Sequence, residues 1–135
     1  MLSKGLKDEE NERISRNLER LLKIEFVPEL WQVAQQEKVS KTLEGIIGLS
    51  LPSILETNVD VLLEKLLAQN LSFEHYEQIG DLLFKLIRLE INFNQQDLAG
   101  KIIAIYNQAQ IQNKTYSFEL NQKIQKVKAF KNSFA

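Results

Sequence analysis

The chain contains no cysteine. That absence excludes disulfides, thiolate nucleophiles, and zinc or iron–sulfur sites held by sulfur. It accords with a reducing cytoplasm, the expected location. Only one histidine is present, His75. A lone histidine cannot build a His-rich metal centre, and the Glu-x-x-His pairs used by bundle metal sites are missing. The serines near turns have no histidine within easy reach, which argues against a hydrolytic triad. Gly45 and Gly48 stand without a third glycine or a lysine–serine pair, so no phosphate-cradling loop is expected. No stretch approaches the ~20 apolar residues that span a membrane. Residues 1–6 have no apolar core and a charged run follows at 7–12, so no secretory leader is expected. Two prolines and five glycines leave long uninterrupted segments. Strand-like alternation is absent, and an all-α fold follows.

A length of 135 residues suits one domain. A chain of this size buries roughly two-thirds of its unfolded surface and needs no metal to hold a core. The charge is uneven. Residues 41–97 carry four basic and nine acidic groups, whereas residues 98–135 carry six lysines and one glutamate. The bland account is that the basic end neutralises the acidic middle, within the chain or across a dimer. The alternative, a nucleic-acid surface, is disfavoured because such surfaces are richer in arginine.

Apolar residues recur three and four apart along most of the chain. A first helix is expected over 7–26, with Asp8, Glu9 and Glu10 in its first turn and an inward stripe of Ile14, Leu18, Leu21, Leu22 and Phe26. Pro28 breaks it. A second helix runs from just past Pro28 to residue 49, with Leu30, Trp31, Ala34, Leu43, Ile46 and Ile47 buried and a break allowed within 35–41. Residues 48–53 form a connector with two anchoring leucines. Ser53 with Glu56 and Thr57 with Asp60 have the spacing of a helix cap followed by an acid. A helix over 58–69 offers Val59, Leu62, Leu63, Leu66 and Leu67. The next, from Phe73 to about Ile91, keeps one wet strip of Glu74, Glu77, Gln78, Asp81, Lys85, Arg88 and Asn92. A helix apolar over most of its circumference must be covered on several sides, so it is the expected centre of the stack. Asn94 caps a fifth helix with Ala99, Ile102, Ile103, Tyr106 and Ala109 inward, ending within 112–116. Ser117 opens a last helix with Phe118, Ile124, Val127 and Phe130 inside and Lys123, Lys126, Lys128 and Lys131 outside.

Tyr76, Ile79, Gly80 and Leu83, with Ala99, Ile103 and Tyr106, resemble the two helices of a tetratricopeptide repeat. Two departures stand out. The gap between Leu83 and Ala99 is about two helical turns longer than the pattern, which leaves the inward faces in phase. Tyr106 replaces a small residue. The wider arrangement also resembles a family of small, uncharacterised bacterial helical proteins. There a connector like residues 48–51 precedes a hairpin closed by a helix opening in a segment like Thr115–Glu119. The resemblance implies a stack of about five or six antiparallel helices. It forms a single domain over 1–135, divided into an N-terminal helical pair and connector (1–52) and a repeat-like hairpin with flanking helices (53–135).

The expected function is a non-enzymatic protein–protein interaction module taking a protein or peptide in a groove between the N-terminal helices and the hairpin. Trp31, Tyr76, Arg88 and Tyr106 are the candidate partner-binding residues. No catalytic, cofactor-binding or metal-binding residue is expected, nor a membrane partner. The second reading is a self-assembling homodimer, with the stripe of the first helix docking on another protomer. The third is nucleic-acid binding through the lysine-rich end. Trp31 and Tyr116 flank turns, where they are either anchors or packing. A hard cation held by Glu74, Glu77 and Asp81 is weighed against a plain solvated strip, and the strip is favoured. His75 is expected to face solvent or cap its helix.

Overall fold

A computed structural model describes residues 2–89, 94–114 and 117–134, with side chains from Asp8 onward. Tyr116, Thr115, Asn92 and the expected helix end at Ile91 lie outside the described residues. Among those described, every regular element is helical. Seven helices among the described residues pack together. Helix α1 is Leu2–Leu22. Helix α2 comprises a turn Pro28–Leu30, a π-helical stretch Trp31–Gln35 and a regular run Gln36–Ile47. The others are α3 Leu51–Glu56, α4 Val59–Leu67, α5 Phe73–Leu86, α6 Gln95–Asn113 and α7 Phe118–Asn132.

Caps explain most of the boundaries. Asn94 and Ser117 accept hydrogen bonds from the backbone N–H groups of Asp97 and Leu120, as their sequence spacing predicts. Two expected caps are displaced. Ser50, not Ser53, caps α3, and Asn58, not Thr57, caps α4. In each case the capping residue is the one in extended backbone just before the helix turns. Gly48 ends α2 in the left-handed region, where a residue without Cβ is unstrained. Helix α1 begins earlier than expected, because nothing before Lys7 stops it. Asp8, Glu9 and Glu10 therefore lie inside the helix and not in its first turn. It also ends sooner, and Phe26 sits in the following loop with its ring edge-on to Trp31 at 5.6 Å.

The π-helical stretch corrects the reading of α2. A π turn inserts an extra residue and rotates the face before it relative to the face after it. Trp31 still points inward, but Leu30 and Ala34 turn to solvent. Leu67 and Phe118, also expected inside, are exposed, since each lies at a helix end where no neighbour covers it.

The α5–α6 hairpin is the centre. Helix α7 packs antiparallel on α6, α4 rests against α6, and α1 lies on α5. Ser15 meets His75 and the end of α1 meets Lys85, so α1 and α5 run parallel. The stripe Ile14, Leu18 and Leu21 is buried within the chain. Gly80 marks the closest approach of α5 and α6. A Cβ placed there would lie 2.6 Å from Cε1 of Tyr106. Two lysines tie helix ends across the stack. Lys85 donates to the carbonyls of Leu22 and Ile24 at the end of α1, at 2.5 and 2.9 Å. Lys101 of α6, only 3 % exposed, donates to the carbonyls of Ile54 and Leu55 at the end of α3, at 3.1 and 2.6 Å. Both place a cation where the helix dipole and unpaired carbonyls favour one.

Candidate binding groove

The four candidate partner residues do not converge. Trp31, Tyr76 and Tyr106 are buried in the core. Only Arg88 is exposed, with its guanidinium over the ring of Phe130 at 5.4 Å. Large aromatics have the most apolar area to hide, and the stack hides three of the four.

Tyr106 instead anchors a polar tie among three helices. Its ring covers Gly80 and its hydroxyl donates to Asp81 Oδ1 at 2.6 Å. Lys123 of α7 donates to Glu77 and Asp81 at 2.6 and 3.0 Å. Lys123 was expected outside, and the strip Glu77–Asp81 was expected to be solvated; here each half-covers the other. Burial pushes the Tyr106 phenol far above its ordinary range, and the bond to Asp81 adds to the shift. Burial alone would lower Lys123, but the hydrogen bonds to Glu77 and Asp81 outweigh it and the net shift is upward. Glu74 faces elsewhere, lining a groove that Glu77 and Asp81 do not reach, so the three acids do not form one cluster. Among the described residues, no group of three metal-ligating side chains could hold a metal. Nor is any described helix long and apolar enough to cross a membrane.

That groove, about 580 Å³, runs between α1 and the start of α5. Four carboxylates line it (Asp8, Glu12, Glu19 and Glu74) against one arginine, Arg16, which leaves a net charge of −3. Its floor is built by the capping box of α5. Ser72 accepts from the backbone N–H of His75, and Nδ1 of His75 accepts from the backbone N–H of Ser72 at 3.2 Å. With Nδ1 an acceptor, the neutral ring carries its proton on Nε2. Nε2 then donates to the carbonyl of Asn11 at 3.1 Å, with Ser15 Oγ at 3.0 Å. His75 therefore caps its helix, but it is buried and not solvent-facing. Burial holds its pKa below the ordinary value, with the Asn11 carbonyl and Glu74 opposing.

A second pocket of about 320 Å³ adjoins the groove and shares Asn11 and Ser72 with it. Leu67, Asn70, Leu71, Tyr76 and Gln112 complete its walls. Here the chains of α4, α5 and α6 meet at one end of the stack. Ile111 adjoins Gln112 of this pocket, and Phe118 follows Ser117, whose backbone the side-chain amide of Gln110 bonds in both directions. Ile111 and Phe118 are 66 % and 67 % exposed.

Of the four sequence candidates, Tyr76 alone lines this site, as a wall of the smaller pocket. His75 was singled out, but its bond to the chain some sixty residues earlier has no local signature. Lys101 did leave a signal. It falls in the inward stripe of Leu98, Ile102 and Ile105, where a charged residue implies a buried partner. Compared with known proteins, the chain matches no protein family, no curated protein and no solved structure.

Proposed function

We propose that this protein is a non-enzymatic interaction module built on a repeat-like helical hairpin, working in a reducing compartment such as the cytoplasm. Its binding surface is the end of the stack where α4, α5, α6 and α7 turn. One observation carries the reading: Ile111 and Phe118 stand exposed at the facing ends of α6 and α7, where Gln112, next to Ile111, walls the smaller pocket. Large apolar side chains gathered next to a concave surface are what partner helices and peptides bury on binding. Gly80 under the Tyr106 ring supports the repeat-like hairpin, since it gives the two helices the close approach such hairpins use. The groove between α1 and the start of α5 offers such a surface a concave wall.

Self-assembly is the second reading. The stripe of α1 is covered within the chain, and the exposed Leu30 and Val33 on α2 support this reading instead.

The test is affinity capture with wild type beside an Ile111→Glu/Phe118→Glu variant and Arg88→Glu. Partners retained by wild type and Arg88→Glu should be lost by the double variant. Identical partner lists for all three would remove the proposal. Light scattering of the same preparations reads the assembly state, and a strict monomer would dispose of the second reading.

A further inference from the structure

The groove and its neighbouring pocket meet at Asn11 and Ser72. We propose that together they form a docking site for a basic peptide segment. A lysine or arginine of the partner enters among Asp8, Glu12, Glu19 and Glu74, and a polar group of the same segment bonds the hydroxyl of Tyr76. This identification of the partner's chemistry rests on the interaction-module reading above.

Two independent observations carry it. The first is charge. None of the four carboxylates takes part in an ion pair among the described residues. Other acids do find partners: Glu10 takes Arg13, Glu37 takes Lys41, and Glu77 and Asp81 share Lys123. The groove thus concentrates uncompensated negative charge in a concave wall, where a cation gains more than on open surface. The second is Tyr76. It is 0 % exposed and lines the adjoining pocket, and its hydroxyl has no hydrogen-bond partner among the described residues. A buried hydroxyl without a partner is destabilising, and phenylalanine would fill the same space without that penalty. The polar atom at this position is satisfied by a group arriving from outside.

The remaining walls suit a peptide and not a polyanion. Asn70 and Gln112 supply amides that match main-chain N–H and C=O groups. Leu67, exposed at the rim, offers apolar surface for the aliphatic stem of a lysine or arginine. Nucleic acid is repelled by the carboxylates.

The experiment uses the whole protein, isotope-labelled for amide NMR. It is titrated with a short lysine–alanine repeat peptide and with the same peptide carrying glutamine for lysine. Shifts should gather at Asn11, Asn70, Ser72 and Gln112, for the lysine peptide only. Glu12→Gln/Glu74→Gln should weaken binding by about tenfold. Tyr76→Phe should also weaken binding by about tenfold, yet melt no lower than wild type, because it removes a hydroxyl unbonded in the free protein. That pairing of lost affinity with undiminished stability is not produced by a core packing role. Three results would overturn the proposal. Shifts could scatter over acids elsewhere, such as Glu44, Glu56 and Glu64. The glutamine peptide could bind as well. Tyr76→Phe could bind as tightly as wild type, which would mean that the hydroxyl holds only a water. If the peptide fails while Ile111→Glu/Phe118→Glu still loses captured partners, the groove assignment falls and the interaction module stands.

Discussion

Replacing Gly80 with alanine tests the packing at the centre of the hairpin. The added Cβ would lie 2.6, 2.9 and 3.0 Å from Cε1, Cδ1 and Cζ of Tyr106. Carbon atoms at rest stay about 3.5–4.0 Å apart, so the ring must retreat by roughly 1 Å. It has little room to do so. Its hydroxyl is held at 2.6 Å by Asp81, which Lys123 holds in turn. Overpacking of this kind costs about 1–3 kcal/mol. Alanine in a helix interior returns about 1 kcal/mol relative to glycine, so the net loss in the wild-type background is about 0–2 kcal/mol. The single variant is therefore a blunt test, and a double-mutant cycle sharpens it. In a Tyr106→Leu background the obstructing ring is gone, and Gly80→Ala should become stabilising by up to about 1 kcal/mol. The coupling between the two substitutions should be about 1–3 kcal/mol. Urea unfolding with an unchanged denaturant slope measures it. Thermal melting should agree at about 3–4 °C per kcal/mol for a chain of this length. Equal effects of Gly80→Ala in both backgrounds would refute the close contact.

Lys101→Met should cost about 1–3 kcal/mol in urea unfolding, because the carbonyls of Ile54 and Leu55 lose their donor; a loss under about 0.5 kcal/mol would show that water replaces the ammonium. The depressed pKa of His75 means that the unfolded chain binds a proton more readily than the folded one. Stability is then complete above the ordinary value of 6.5 and declines as pH falls through and below it. His75→Gln keeps a capping side chain without a titrating group, so its stability should be flat over that window, and a slope equal to wild type would assign the effect elsewhere. At alkaline pH the signs are reversed in origin. Tyr76, Tyr106 and Lys123 are all raised, so their contributions are full below about 10 and are lost as pH rises beyond it. Tyrosinate absorbance should show Tyr76 and Tyr106 ionising only together with loss of helical circular dichroism; ionisation of both in a still-folded protein would contradict their burial.

The helical content and the central hairpin were readable in the chain because they rest on local periodicity. The stripe Tyr76–Ile79–Leu83 and the caps Asn94 and Ser117 each follow from spacing alone. Errors begin where spacing needs a neighbour to give it meaning. Leu67 and Phe118 continue good stripes, but nothing lies across from them. Leu30 and Ala34 fail for another reason: a single π turn shifts the phase, and no residue announces it. The candidate site was less legible still. Exposed aromatics were expected to mark a surface, yet Trp31, Tyr76 and Tyr106 serve the interior. The groove depends on α1 lying beside α5, a pairing between segments far apart in sequence. Spacing alone places Lys123 in water, which hides its tie to Glu77 and Asp81.

The parallel alignment of α1 with α5 has a kinetic consequence. Helices α5, α6 and α7 are sequential neighbours separated by few residues, so their contacts close at little entropic expense. Those of α1, such as Asn11 and Ser15 with His75, join positions 64 and 60 residues apart. Helix α1 should therefore settle last on a three-helix nucleus already formed. Substitutions at Ile14 or Leu18 should then accelerate unfolding and leave the refolding rate nearly untouched, while those at Ile79 or Ile102 should slow refolding.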